Sequence, residues 1–252
     1  MYNYPWGRRA IKFIWTTVAD ESVVIPNGPL EGWRFAAGGG QPGYLLGSSE
    51  PEVQAALVRS IRSGDVVYDV GANVGFITLL AARLVAPSGH VYSFEPMDVN
   101  IRALRRNIDL NAVKHVDVVT VAVSNTDGTA LMSLGDDQAT GHLQEAGEDL
   151  VRVPSMTIDS FVAAGHSPPD LVKIDVEGAE DLVLAGMSET LRRVRPRVIF
   201  ELHYGDDDPR RDVIKALLAD AAYDELELPL DGGSMAHVLA TPREIQDKIV
   251  HG

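Results

Sequence analysis

The chain of 252 residues reads as a doubly wound α/β domain with a mostly parallel sheet. Three observations predict this. Short, nearly continuous apolar runs recur at residues 65–70, 90–94, 116–123, 171–176 and 198–202, the pattern of strands buried on both faces. Segments with helical apolar spacing separate several of them. The first run ends in a glycine turn, Gly71-Ala72-Asn73-Val74-Gly75, at the strand end where such sheets receive ligands.

The elements follow in order. Residues 1–50 read as an N-terminal extension contributing to a pocket or to a homo-oligomer, and residues 51–252 as the main domain with an insert at 128–156. The apolar run through Ile11, Phe13, Ile14 and Trp15 is too short and too broken by charge for a signal peptide or a membrane span. Residues 20–50, rich in Gly and Pro, read as loops and short strands. Val53, Leu57, Val58 and Ile61 set a helix that Ser49 caps and Gly64 ends. A strand at 65–70 leads to a helix at 76–84, stopped by Pro87 and Gly89; a strand at 90–94, a helix at 99–110 and a strand at 116–123 follow. After Asp127-Gly128 the rhythm breaks. Residues 130–134 and 151–156 read as added strands around a polar stretch, 135–149, expected to act as a mobile lid. The rhythm resumes with a strand at 171–176, a helix at 179–187, a strand at 198–202 and a helix at 211–222. Residues 226–228 and 237–239 suggest a closing antiparallel pair.

Hydrophobic residues make up 45% of the chain, enough for a sizeable core, and the formal net charge is −14. No basic face is evident to replace phosphate counterions, so nucleic acid is not an expected partner. Arg102, Arg105 and Arg106, and Arg192, Arg193, Arg195 and Arg197, read as solvated helix faces and ends. There is no cysteine, which excludes disulfides and thiolate metal sites and permits a reducing compartment; a cytoplasmic location is expected.

The glycine turn carries the functional argument. Gly71 allows a sharp turn and a close ligand, and Gly75 lets the helix pack near the strand. Asp69, just before the turn, suits a cationic ligand and would repel a pyrophosphate. Asn73 stands where a dinucleotide fingerprint has its middle glycine. Glu95 ends the second strand, where a carboxylate can accept hydrogen bonds from ribose hydroxyls. Together these favour S-adenosylmethionine over a nicotinamide dinucleotide.

At these residues the sequence resembles the FkbM family of methyltransferases. The matching pieces are Asp69-Val70-Gly71-Ala72-Asn73-Val74-Gly75, Phe94-Glu95-Pro96, Val121-Ala122-Val123-Ser124, Lys173-Ile174-Asp175-Val176-Glu177-Gly178-Ala179-Glu180 and Phe200-Glu201-Leu202-His203. The resemblance implies a class I methyltransferase fold: a Rossmann-like, mostly parallel seven-stranded sheet with an antiparallel C-terminal strand. It implies S-adenosylmethionine as donor, and methyl transfer to a hydroxyl of a sugar, glycan or natural product. Asp69, Gly71, Ala72, Asn73, Gly75, Glu95, Pro96, Ala122 and Asp175 are then the expected cofactor residues.

The acceptor should lie above the ends of the fourth and fifth strands, where Asp175, Glu177, Glu201 and His203 emerge. Asp175 is expected to position donor or acceptor, and His203 is the best-placed base, with His142 a rival. Glu201 reads as a substrate contact or a salt-bridge partner. Glu50, His142 and Glu177 are candidate substrate contacts. No metal is expected; the alternative is Mg²⁺ held by Asp175, Glu201 and His203. The other readings are a noncatalytic S-adenosylmethionine-binding subunit and, disfavoured by Asp69 and Asn73, a nicotinamide oxidoreductase.

Overall fold

A computed structural model describes residues 21–36, 42–134, 141–143, 150–205, 207–228 and 236–244. Most of the expected lid and the aromatic N-terminal run fall outside these residues. The described residues start with a two-stranded ribbon, β1 (Val23–Val24) and β2 (Arg34–Phe35), then helices α1 (Pro42–Leu46) and α2 (Pro51–Ser60). Ile25, Leu30, Phe35 and Tyr44 from this segment join the same buried cluster as Leu57 and Leu80.

The main sheet has seven strands. They are β3 (Val66–Val70), β4 (His90–Phe94), β5 (Val116–Val119), β10 (Leu171–Ile174), β11 (Arg197–Leu202), β12 (Tyr223–Glu227) and β13 (Ala236–Pro242). Their spatial order is β5-β4-β3-β10-β11-β13-β12. β5, β4, β3, β10 and β11 pair in parallel, and β13 runs antiparallel to both neighbours. The fold is therefore the expected seven-stranded, mostly parallel sheet with an antiparallel C-terminal strand. Every residue of β10 is buried, as expected when helices cover both faces. Those helices include α3 (Phe76–Val85) and α4 (Asp98–Leu110) after β3 and β4. Short helices α5 (Ile158–Ala163), α6 (Glu180–Ala185) and α7 (Ser188–Arg193) flank β10, and α8 (Arg210–Asp220) joins β11 to β12.

A second sheet, ordered β6-β9-β7-β8, holds the insert. It comprises β6 (Ala122–Val123), β7 (Gly128–Leu134), β8 (Gly141–Leu143) and β9 (Leu150–Met156). The added strands at 130–134 and 151–156 are thus present and pair antiparallel as β7 and β9.

Three local expectations are corrected, and one helix is added. The run 116–123 is two strands: Val121 N–H turns back to Val119 C=O at 3.0 Å, and Ala122–Val123 leaves the main sheet to pair with β9. The helix at 179–187 breaks at Gly186, where a Cβ would lie 2.1 Å from the Ser124 carbonyl oxygen. The cap of α2 is Glu50, with a left-handed φ of 47° and no side-chain cap bond, while Ser49 uses its carbonyl to accept from Gln54 Nε2 at 2.5 Å. Helix α5 has no long apolar period to announce it; Thr157 caps it, its Oγ1 accepting from Ser160 N–H at 3.0 Å.

Asn107 on α4 ties the N-terminal segment to the glycine turn. It is fully buried. Its Oδ1 accepts from Ala36 N–H at 2.8 Å, and its Nδ2 donates to Ala36 C=O at 3.0 Å and Val74 C=O at 2.8 Å. Removing it strands two buried carbonyls and an N–H. Asn107→Ala is expected to lower stability by about 2–4 kcal/mol in urea unfolding; a change below about 0.5 kcal/mol would show that these bonds do not anchor the segment.

Candidate active site

The glycine turn lies between the ends of β4 and β10. Gly71 and Ala72 N–H both donate to Phe94 C=O at 3.0 Å, and Asp175 N–H donates to Val70 C=O at 3.0 Å. A Cβ on Gly71, at φ 81°, would sit 1.7 Å from the Asp175 carbonyl oxygen, so only glycine fits. A Cβ on Gly75 would strike Leu104 Cδ1 at 2.5 Å, which is how closely α4 approaches. Asn73 holds a φ of 49°, which asparagine tolerates better than most residues.

Glu95, 4% exposed, clamps this turn. Its Oε2 accepts from Asn73 N–H at 2.9 Å; its Oε1 accepts from Met97 N–H at 2.9 Å and Asn100 Nδ2 at 3.3 Å. Burial raises its pKa, opposed by these hydrogen bonds. A carboxylate has about four acceptor positions, so the chain's own donors leave roughly one for a ligand.

Two clefts open here and share Gly71, Asn73 and Asp175. The larger encloses about 610 Å³, mouth included, and is also lined by Glu95, Met132 and Glu177. Pro96 and Ala122 form part of its wall. The smaller, about 290 Å³, adds Tyr44, Glu50, Ala72, Gly75 and Lys173. Asp69 lies beneath the turn and lines neither. It is fully buried, accepts from Thr78 Oγ1 at 2.6 Å, and faces Lys173 in register on β10. Burial raises its pKa, partly offset by Lys173 and Thr78.

Lys173, 4% exposed, was quoted in a motif but given no role by sequence reasoning. Its Nζ donates to Asp175 Oδ2 at 2.8 Å. Burial opposes its charge, but Asp175, Asp69 and Glu50 outweigh burial and keep it protonated. The same pair lowers the Asp175 pKa against the pull of burial. His203 Nδ1 bonds Glu180 Oε1 at 2.8 Å, and its Nε2 faces Glu177, Asp175 and Glu201 oxygens at 3.4, 3.7 and 3.8 Å. Burial pulls the imidazolium pKa down; Glu180, then Asp175 and Glu201, outweigh it and raise it to about 9. Without a metal the ring is thus held as a cation, and a metal at Nε2 would have to displace that proton. His237 on β13 was also missed: it lies opposite Glu201, with Nε2 3.6 Å from Glu201 Oε2 and Nδ1 3.4 Å from Glu52 Oε1. The backbone of His142 lies in β8 opposite Ser133; its side chain lies outside the described residues. Four of the arginines read as solvated helix faces and ends are ion-paired: Arg192 to Asp220 at 2.7 Å, Arg193 to Glu189 at 2.9 Å, Arg195 to Glu244 at 2.6 Å and Arg197 to Asp65 at 2.9 Å.

The clefts suit a donor-rich cation. Glu50 Oε2 and Asn73 Oδ1, from residues that line them, are buried without a hydrogen-bond partner, and both are acceptors. An ammonium and hydroxyls, as S-adenosylmethionine carries, would satisfy such atoms; a pyrophosphate would not.

A sheet in this order, with an acceptor-rich glycine turn at its carboxyl edge, defines a class I methyltransferase. The chain belongs to the FkbM family: the methyltransferase FkbM domain matches residues 69–225, and the protein is an S-adenosylmethionine-dependent methyltransferase. Hexuronic acid methyltransferase AglP of Haloferax volcanii is 31% identical over 169 residues, 67% of this chain and 67% of that protein. The 31-O-demethyl-FK506 methyltransferase FkbM of Streptomyces tacrolimicus is 30% identical over 218 residues, 73% of this chain and 82% of that one. The solved methyltransferase FkbM of Methylobacillus flagellatus KT is 15% identical, with a TM-score of 0.53 over 94% of this chain and 60% of that one; this likeness is one of fold. Among the described residues no helix is long and apolar enough to cross a membrane.

Two predictions follow from the geometry. Glu95→Ala removes the clamp and a ligand acceptor together, and is expected to weaken S-adenosylmethionine binding by about 1.5–3 kcal/mol, roughly 10- to 150-fold by isothermal titration. An unchanged dissociation constant in a folded variant would sink that assignment. The second concerns Glu50, whose pKa is raised from 4.5 to about 7 by burial, then by Asp175 and Glu201, against Lys173 and His237. Its folded state keeps a proton that the unfolded chain loses near 4.5. The stability this contributes is full below pH 4.5 and is lost as pH rises to about 7. Glu50→Gln is therefore expected to gain on the parent protein across that window, by at most about 3 kcal/mol. A difference in urea midpoint that stays flat with pH would refute it.

Proposed function

We propose that the protein is an O-methyltransferase whose acceptor is a hydroxyl of a sugar, glycan or natural product. One observation carries the reading: Asp175 and Glu177, at the end of β10, line the same cleft as Gly71 and Glu95. Donor-binding and acceptor-facing groups thus share one cavity.

S-adenosylmethionine supplies a methyl group already activated on a sulfonium. The chain's task is mainly to align the acceptor with it and exclude water. Gly71 and Asn73 let the backbone approach closely. Glu95 offers its remaining acceptor position to a ribose hydroxyl, and Lys173 fixes Asp175 by taking one of its oxygens. Met132, from the insert, adds an apolar side chain to the wall of the cleft. The carboxylate-rich floor accepts hydrogen bonds from a polyhydroxylated acceptor and disfavours a polyanionic one. The names of the two relatives, a hexuronic acid methyltransferase and a 31-O-demethyl-FK506 methyltransferase, support oxygen acceptors of this kind.

The test is an acceptor panel with methyl-labelled S-adenosylmethionine: a hexuronic acid glycoside, a neutral pyranoside and a macrocyclic secondary alcohol. Label is expected on oxygen in at least one, with stoichiometric release of S-adenosylhomocysteine. Donor binding without transfer to any of them would instead favour a noncatalytic binding subunit.

A further inference from the structure

We propose that Asp175, Glu177 and His203, with Glu201 beside them, form a binding site for a divalent cation, and that an acceptor oxygen completes its coordination. The cation half stands on the geometry of this chain alone; the acceptor half rests on the methyl-transfer reading above.

The ring of His203 is set for ligation. Its side chain is 10% exposed. Nδ1 is occupied by Oε1 of Glu180, which is fully buried and also accepts Gly178 N–H at 3.1 Å. A carboxylate on one ring nitrogen orients the other toward a metal and makes it a better donor. Nε2 then faces Glu177 Oε2 at 3.4 Å, Asp175 Oδ1 at 3.7 Å and Glu201 Oε2 at 3.8 Å. These spacings exceed an N–H···O hydrogen bond, about 2.7–3.2 Å. Donors that share one ion at about 2.1 Å stand roughly 3.0–3.5 Å apart, so a small contraction brings the set onto one ion. One ligand atom from each of Asp175, Glu177 and His203 lies within 4.8 Å of the other two.

Three further features converge. Lys173 takes Asp175 Oδ2 at 2.8 Å, which leaves Oδ1 on the His203 side. Glu177 holds a left-handed φ of 54°, a conformation non-glycine residues keep only where surrounding structure requires it. Asp175 and Glu177 line the larger cleft, so an ion between them would be open to a ligand there. Carboxylates with one imidazole suit Mn²⁺ or Mg²⁺ better than a thiolate-seeking metal. Against the metal-free expectation and its alternative of Asp175, Glu201 and His203, the proposed donor set takes in Glu177, while Glu201 Oε2 is shared between His203 and His237 at 3.8 and 3.6 Å.

The test uses the full chain stripped by a chelator and titrated with Mn²⁺ alone, followed by electron paramagnetic resonance and calorimetry. One saturable site per chain is expected, with Mg²⁺ displacing Mn²⁺ at higher concentration. Glu177→Gln and His203→Ala are each expected to weaken Mn²⁺ at least tenfold. Glu180→Gln, a positioning change, is expected to weaken it about 10- to 100-fold. Melting without metal shows whether each variant folds; the half-exposed Glu177 keeps the test usable if Glu180→Gln does not. No saturable binding, or binding unchanged in Glu177→Gln and His203→Ala, overturns the site. If Mn²⁺ binds but the stripped enzyme methylates its acceptor at the full rate, the acceptor half is wrong. If no acceptor is ever methylated, the proposed function fails while Mn²⁺ binding still reports on the site.

Discussion

The structure depends on one contact, between the backbone of Gly71 and the carbonyl oxygen of Asp175. There is no room for a side chain between them, because a Cβ would stand 1.7 Å from that oxygen. The hydrogen bond from Asp175 N–H to Val70 C=O seals the same junction. The glycine turn and the end of β10 are thus joined as a single edge. For a displacement that is mostly alignment, fixing those two places relative to each other is the main structural demand.

Beneath that edge lies a buried charge system that the chain balances internally. Lys173 neutralises Asp175 and faces Asp69, and Glu50 closes the smaller cleft from the N-terminal segment. Beside it, Glu201 meets His237, which meets Glu52 on α2. Each carboxylate is taken from water at a cost, which nearby cations offset only in part. The raised pKa of Glu50 is the residue of that imbalance. Among the buried acceptor atoms left without partners, Glu50 Oε2 and Asn73 Oδ1 belong to residues that line the clefts at the turn.

The fold was legible because its signals are local. All-apolar strands separated by helical periods specify a parallel sheet, and Gly71 and Gly75 mark the turn by the side chains they lack. The motifs expected to hold the donor are local too: Asp69 to Gly75 and Glu95 lie on consecutive strands, and the structure brings Gly71, Asn73 and Glu95 to one cleft while Asp69 lies beneath the turn. What stayed hidden depends on contacts distant in sequence. Lys173 reads as part of an apolar strand, and only the register against Asp69 shows what its charge does. Glu180 reads as a helix-start carboxylate, yet it holds His203, 23 residues away. The role expected of His203 as a base came from its ordinary pKa, which three surrounding carboxylates change. His237 gave no signal, because its meaning comes from lying across β11 from Glu201. The departure of Ala122–Val123 from the main sheet was equally invisible, since both sides of that break are apolar.

The position of β13 bears on how the protein comes into being. It follows every other described strand of the main sheet in the sequence, yet it lies between β11 and β12. Until it inserts, β11 is an open edge carrying Val198, Ile199 and Phe200, apolar residues that are buried in the finished fold. Such an edge on a growing chain is a template for wrong pairing and a natural substrate for a chaperone. The nascent chain also holds every motif from the glycine turn to His203 before it holds His237. Glu201 therefore has His203 for a neighbour from its own motif and gains His237 only when β13 takes its place beside β11.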